Sequence, residues 1–405
     1  MVGEVGEGIY AKNRKMRISM NVLQVVEATG AGVGRHVRGL SDYLITQGHR
    51  VAVAYAPYRA DEAFRKFVSS RRNQIHFVPF KLKREVSPVS DLSTVLQLWR
   101  FIKRQGPFDI VHGHSSKGGA IARLAGWGAG VPTVYTPHSL VMSSPDTARA
   151  KAAAYTLIER LLGNWMTSRM IAVSEDERQF ILRLKLAPSE RVTLVYNGLD
   201  DRVFEYFSQR EVDRKGVDEM PLIFGSIMEF RLQKAPDDLV EAFAKLLRML
   251  PQVPLRLVIA GDGELFTETQ ERVLANGLSD KISLLGWRTD VREVLQEFDV
   301  FVLSSLYEGF SYAILEAMAA RLPIATTNVF GIQETVAQIP GNVIVPPGNP
   351  DALARGMKQM ATLTGYASSL KALDKIGQAN HEYARLRFTQ SETMRQTVEI
   401  YRRLG

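Results

Sequence analysis

The 405-residue sequence contains no cysteine. Disulfides, thiolate metal sites and cysteine nucleophiles are thereby excluded together, and the composition suits a reducing cytoplasm. Long uncharged runs are also scarce. The longest extends from Leu124 to Pro145 and is broken by Gly126, Gly128, Gly130, Pro132 and Pro137, so it does not read as a membrane-spanning helix. The N-terminal stretch is glycine-rich and charged with no apolar centre, and residues 1–16 are expected to form a disordered tail rather than a secretory signal. With 45% apolar residues the chain has ample material for cores, and its length suits two domains of about 200 residues each.

Charge is unevenly shared. Residues 1–200 carry 28 Lys and Arg against 16 Asp and Glu, whereas the remainder carries 23 against 27. The basic excess gathers at Arg71-Arg72, Lys81-Lys83-Arg84 and Lys103-Arg104. Such clusters suit an anionic membrane leaflet or simply a solvated surface. No nucleic-acid-binding motif accompanies them, so nucleic acid is not an expected partner.

Short apolar runs alternate with amphipathic stretches along the first half: Ile18–Val26, Arg50–Tyr55, Ile75–Val78, Ile110–His112, Thr133–Tyr135, Met170–Val173 and Val192–Tyr196 read as strands. Helices are expected between them, among others at Val33–Gln47, Val89–Arg104, Lys117–Ala129, Ala148–Leu162 and Glu175–Leu184. The alternation lapses in a polar stretch and restarts with Leu222–Ile227, Leu255–Ala260, Ile282–Leu285, Val300–Leu303, Ile324–Thr327 and Val343–Val345. Nearly continuous apolar strands separated by helices predict an α/β chain with two Rossmann-like, doubly wound parallel-sheet domains facing a cleft. The expected boundaries are 17–200 for the N-terminal domain, 201–220 for a linker and 221–385 for the C-terminal domain. A C-terminal helix at 386–405 is expected to pack back toward the N-terminal domain.

Two glycine-bearing loops carry the chemistry. Gly30-Ala31-Gly32-Val33-Gly34 follows the first strand and opens a helix, where backbone can approach an anion or a polar sugar. It lacks the third glycine of a nicotinamide fingerprint, since Arg35 stands there, and the second strand ends Tyr55-Ala56-Pro57 with no acid for a ribose. A dehydrogenase is disfavoured. The sharper feature is Tyr307-Glu308-Gly309-Phe310-Ser311-Tyr312-Ala313-Ile314-Leu315-Glu316, a strand-to-helix loop whose free N–H groups suit a diphosphate. A carboxylate at Glu316 suits a vicinal diol, and one at Glu308 suits sugar hydroxyls. His112 and His114 have no further ligand at metal-binding spacing and read as structural or as supports behind the site.

This segment resembles the acidic signature of glycosyltransferase family 4, retaining enzymes of the two-domain GT-B fold. Further blocks resemble the family in order: Asp109–Lys117, Tyr135–His138, Val173–Glu175, Tyr196–Asp200, Gly261–Glu264, Leu285–Trp287 and Val345–Gly348. The resemblance covers about residues 18–365. It implies that Glu316 binds the nucleotide ribose and Glu308 the donor sugar, with phosphate held by backbone around Phe310, Ser311 and Tyr312. It places Gly309 and Trp287 in the donor-binding set and brings Gly32 over the diphosphate or sugar. His138 is expected near the reacting sugar, and Lys234 is expected to neutralise the leaving diphosphate. Thus His138, Glu308 and Lys234 are the expected catalytic residues. One position departs from the family: the Arg usually found five residues before the Lys is Glu229, and a carboxylate beside a diphosphate costs roughly 1 kcal/mol even in watery surroundings. Arg231 is the expected substitute. No Asp-x-Asp lies between apolar runs, and the resemblance implies transfer without a metal or other cofactor.

The expected function is a hexosyltransferase-type enzyme moving a sugar from a nucleotide-diphosphate sugar to a glycan or lipid-linked acceptor in polysaccharide or glycolipid synthesis. It is expected in the cytoplasm, with peripheral association at the inner membrane face. A sugar-nucleotide epimerase of similar fold and a nucleotide-binding module without transfer are the alternatives.

Overall fold

The computed structural model of the chain describes residues 19–81, 87–144, 147–208, 221–363 and 366–405. Among the described residues, thirteen strands form two parallel sheets. The first contains β1 (Asn21–Val26), β2 (Arg50–Tyr55), β3 (Ile75–Pro79), β4 (Ile110–His114), β5 (Thr133–Thr136), β6 (Arg169–Ala172) and β7 (Val192–Leu194), in the order β3-β2-β1-β4-β5-β6-β7. The second contains β8 (Leu222–Ile227), β9 (Leu255–Ala260), β10 (Ile282–Leu284), β11 (Val300–Leu303), β12 (Ile324–Thr327) and β13 (Val343–Val345), in the order β10-β9-β8-β11-β12-β13. Each central strand is buried along nearly its whole length, as a sheet covered on both faces requires.

In both sheets the strand order reverses, at β1/β4 and at β8/β11. The loops leaving the carboxyl ends of such a pair diverge, and the crevice between them is where doubly wound sheets take ligands. In the second sheet this places the loop after β8, carrying Lys234, beside the loop after β11, carrying Glu308. Two residues 74 positions apart in sequence meet through that one topological fact.

By packing, the chain divides into two compact units: Met1–Tyr135 with Met166–Ser168 and Ile400–Gly405, and Thr136–Trp165 with Arg169–Glu399. The core of the first lies between β1, β2 and β4 and the helices Pro88–Gln105 and Ser116–Ala129, and includes Leu23, Val25, Val111, Leu98, Ile102 and Ile121. Residues 400–405 close it: Tyr401 is buried, with its hydroxyl 2.5 Å from His112 Nδ1. The second unit has one cluster around Phe301, Leu315, Phe310 and Phe388 and another around Phe224, Phe243, Leu257 and Val302.

Several stretches differ from the sequence reading or fall outside it. Asp201–Ser208, expected as the beginning of a linker, is a helix burying Val203, Phe204 and Phe207. Apolar residues at that spacing form one helical face, which the surrounding charges obscure. The rest of that linker range, 209–220, the tail at 1–16, and positions 83 and 84 of the second basic cluster lie outside the described residues. The C-terminal stretch is two helices, Tyr366–Arg387 and Gln390–Leu404, and the break between them is tied down by main-chain bonds from Leu199 N–H to Phe388 O and from Gln390 N–H to Leu199 O.

Candidate functional site

The loop after β8 ends in a single 3-10 turn, Leu232–Lys234, followed by Ala235 in the left-handed region at φ +46°. A non-glycine residue holds that conformation only where its surroundings over-determine it. Here the surroundings are the loop after β11. Ser304 Oγ donates to Lys234 O (2.7 Å), Leu306 N–H to Gln233 O (2.8 Å), and Gln233 Nε2 to Tyr307 O (2.8 Å). The two loops behave as one stapled element.

The chemistry sits on the staple. The Lys234 ammonium donates to Glu308 Oε1, which also accepts from Ser305 Oγ at 2.8 Å. Both charged side chains are largely buried. Desolvating two ions costs much of what their attraction returns, so such a pair is weak evidence for stability and stronger evidence for a fixed arrangement. A few residues on, the helix Tyr312–Ala319 begins. Its N-cap, Ser311, is extended but does not cap: its hydroxyl is buried and has no hydrogen-bond partner among the described residues. The first N–H groups of a helix have no intrahelical acceptor and carry partial positive charge, so this start is suited to an anion. Glu316, half-buried, lies on the second turn of the same helix. Phe310 is an anchor: its ring is buried against Tyr196 and Phe388, with centroids 5.5 and 5.4 Å apart, and Asn197 Nδ2 donates to its carbonyl at 3.5 Å.

His138 belongs to the same packing unit as this loop. It and Ser139 both have positive φ, +58° and +117°, two consecutive strained residues. Glu177 holds them. Its carboxylate accepts the Ser139 N–H at 3.0 Å and the Val173 N–H at 2.9 Å. Burial pushes the Glu177 pKa up to about 7 despite those two bonds, which lower it. On the other side, Gly309 comes so close that a Cβ there would lie 2.9 Å from the carbonyl carbon and oxygen of His138. Only glycine allows that approach.

Glu229 does not stand bare. Arg231 Nη1 lies 3.3 Å from its carboxylate, both side chains being partly exposed, while Arg231 Nε is buried without a partner among the described residues. Trp287 follows β10, the outer strand of the sheet, and is exposed. Gly32 lies in the first turn of the helix Ala31–Thr46 in the other unit, next to Gly34, where an added Cβ would fall 1.8 Å from Thr29 O. The last glycine of that loop is therefore required for packing. The structure thus brings Lys234, Glu308, Gly309, Phe310, Ser311, Tyr312, Glu316 and the His138 backbone into one unit.

Two further carboxylates escape the sequence reading. Glu177 completes a Ser174-x-x-Glu177 capping pattern, and Ser174 does accept the Glu177 N–H at 3.1 Å. The Glu side chain, however, reaches to Val173 and Ser139 rather than to the cap. Glu334 accepts the Glu175 N–H through both oxygens, at 2.8 and 3.0 Å, and Asp176 accepts the Gly331 N–H at 3.1 Å. Burial, with Asp176 and Glu175 adding to it, raises the Glu334 pKa to about 7.

Comparison with known proteins gives a consistent result. Residues 207–380 match the model described as glycosyl transferases group 1, and residues 31–198 match that of a glycosyl transferase 4-like domain. The chain is 30% identical over 262 residues to the UDP-Gal:alpha-D-GlcNAc-diphosphoundecaprenol alpha-1,3-galactosyltransferase of Escherichia coli, covering 63% of this chain and 66% of that one. It thus spans just under two thirds of that relative's length. It is 25% identical over 384 residues to the GPI3 subunit of the phosphatidylinositol N-acetylglucosaminyltransferase of Saccharomyces cerevisiae, covering 91% of this chain and 79% of that one. Among solved structures, HepE of Anabaena in complex with UDP-glucose superposes with a TM-score of 0.75 at 19% identity, covering 94% of this chain and 99% of that one.

Proposed function

We infer that this chain, which belongs to the group 1 glycosyltransferases of family 4 and has their GT-B fold, takes a nucleotide-diphosphate sugar and passes the sugar with retention to a glycan or lipid-linked acceptor. The observation that carries this reading is the stapled pair of loops. Lys234 and Glu308 stand beside a helix start whose N-cap hydroxyl is buried and unspent. A diphosphate next to Lys234 and the 312–319 helix start has its charge met by a cation and by N–H dipoles as it becomes the leaving group. Arg231, through its unpartnered Nε, adds a second cation. Glu308 then exchanges part of its pairing with Lys234 for hydroxyls of the donor sugar, and Glu316 accepts the ribose diol. His138 faces the reacting sugar from its strained turn. Attack comes from the side of departure, so no covalent glutamyl intermediate is required, and Lys234, Arg231 and the helix start do what a metal would otherwise do.

An epimerase or a binding-only module is not favoured, because the relatives are transferases and Glu229 is paired with Arg231. UDP-sugars are the donors named for the E. coli relative and bound in the Anabaena structure, and we propose the same donor class here. The E. coli enzyme's acceptor is lipid-linked by name, and we propose a lipid-carried acceptor reached by peripheral association at the inner membrane face. No described helix is long and apolar enough to cross a membrane.

The test is thermal stability with UDP, GDP and ADP in turn, repeated with Glu316→Ala. A nucleotide at about 100 times its Kd stabilises by roughly 2.7 kcal/mol. A shift with UDP that the variant loses supports the site. No shift with any nucleotide overturns the reading.

A further inference from the structure

The helix Arg149–Trp165 turns an apolar stripe to solvent. Leu157, Ile158, Leu161 and Trp165 are 59, 48, 53 and 74% exposed, and Ala150, Ala153 and Ala154 continue the same face toward its start. Residues recurring at three- and four-residue intervals share one side of a helix. The helix is not loosely held. Glu159, Leu162 and Gly163 are its buried side, and Gly163 presses so closely on the following segment that a Cβ there would lie 2.0 Å from Leu186 O. Arg160 Nε also donates to Leu184 O at 2.7 Å. A firmly seated helix that leaves four large apolar side chains in water marks an interaction surface.

Charge identifies the partner. Every exposed charge on this helix is positive: Arg149, Lys151 and Arg160, with Lys185 exposed beside its carboxyl end. Its one acid, Glu159, is buried. Arg149 and Lys151 fall near the amino end, where the first turn of the helix holds no acid and where the helix dipole disfavours cations. A second copy of this face would bring like charges together, whereas an anionic bilayer meets both the cations and the apolar stripe. Trp165 supplies the amphipathic ring favoured at a membrane–water interface.

We propose that the helix Arg149–Trp165 is an in-plane anchor that docks on an anionic lipid bilayer, with Leu157, Leu161 and Trp165 entering the interfacial layer. This deepens the lipid-acceptor reading and rests on it for its purpose, but it is measured by binding alone. Co-sedimentation is read with vesicles of phosphatidylglycerol and phosphatidylcholine and with phosphatidylcholine alone. The full chain is expected to bind the anionic vesicles only. Leu157→Gln/Leu161→Gln/Trp165→Gln is expected to weaken partitioning by about tenfold or more. Arg149→Gln/Lys151→Gln is expected to weaken it by about fivefold per cation. Both variants should keep the parent's circular dichroism and melting temperature, since the replaced side chains are exposed. Parent protein that stays in the supernatant with anionic vesicles overturns the proposal, as does a triple variant that binds like the parent. A concentration-dependent dimer in sedimentation velocity, abolished by the triple variant, also overturns it by making a second copy the occupant. If vesicle binding follows expectation while no nucleotide shifts the melting temperature, the donor reading fails and the anchor stands.

Discussion

Replacing Glu177 with Gln probes the turn that carries His138. In the parent each carboxylate oxygen accepts one main-chain N–H, and burial raises the pKa from 4.5 to about 7. For an acid whose folded pKa lies above the unfolded one, the native chain binds more protons than the unfolded chain between those values. Stability therefore falls as pH rises through the window from about 4.5 to about 7. Integrated from about pH 5 to about pH 8, this group alone removes about 2 to 3 kcal/mol. Gln cannot ionise, so that slope disappears. Its amide instead sets a donor against one of the two N–H groups, a roughly pH-independent loss of about 1–3 kcal/mol. Urea unfolding of parent and variant, repeated across this range, should show a stability gap that narrows with rising pH. On the proposed reading of the site, the variant's kcat should fall while the donor KM changes little, because the His138 backbone loses its support and the proposed diphosphate-binding groups are untouched. Stability curves that run parallel would refute the reasoning.

Lys234→Met leaves the Glu308 carboxylate buried with the Ser305 hydroxyl in place of a cation, so urea unfolding should show a loss of about 3–5 kcal/mol. The double change with Glu308→Gln should recover much of that stability and none of the transfer activity. Gly309→Ala forces the loop away from the His138 carbonyl and should cost about 1–3 kcal/mol in unfolding measurements, with kcat falling. Glu229→Gln releases the Arg231 guanidinium, and UDP titration should show affinity rising about fivefold, equivalent to roughly 1 kcal/mol. Unchanged UDP affinity in Arg231→Ala would remove Arg231 from the site.

The sheets are legible in the sequence because buried parallel strands are apolar runs with few interruptions, and all thirteen appear within a few residues of their expected places. What connects them is less so. Val203, Phe204 and Phe207 sit among Asp, Arg and Glu in a stretch whose average is polar, so a packed helix reads as linker. Periodicity marks the helix at 149–165 but says only that an apolar face exists, not whether it meets the core or the solvent. The Lys234–Glu308 pair spans 74 residues of sequence and arises from the strand-order reversal; family likeness points to both residues without showing that they touch. Glu177 is within reach through its capping pattern, but the destination of its carboxylate is a tertiary fact.

The ion pair at the centre of the two loops also shapes what can bind there. With Lys234 and Glu308 satisfied by each other, the site offers little field to a neutral visitor. A free sugar must compete with the ammonium for Glu308, and a bare hydrophobic inhibitor would have to leave both charges where they are. A molecule that brings an anion for the lysine and hydroxyls for the glutamate can repartition the pair without stranding either member. The site therefore filters for bifunctional ligands before any base or sugar specificity acts, and compounds designed against it should carry both features on one rigid frame.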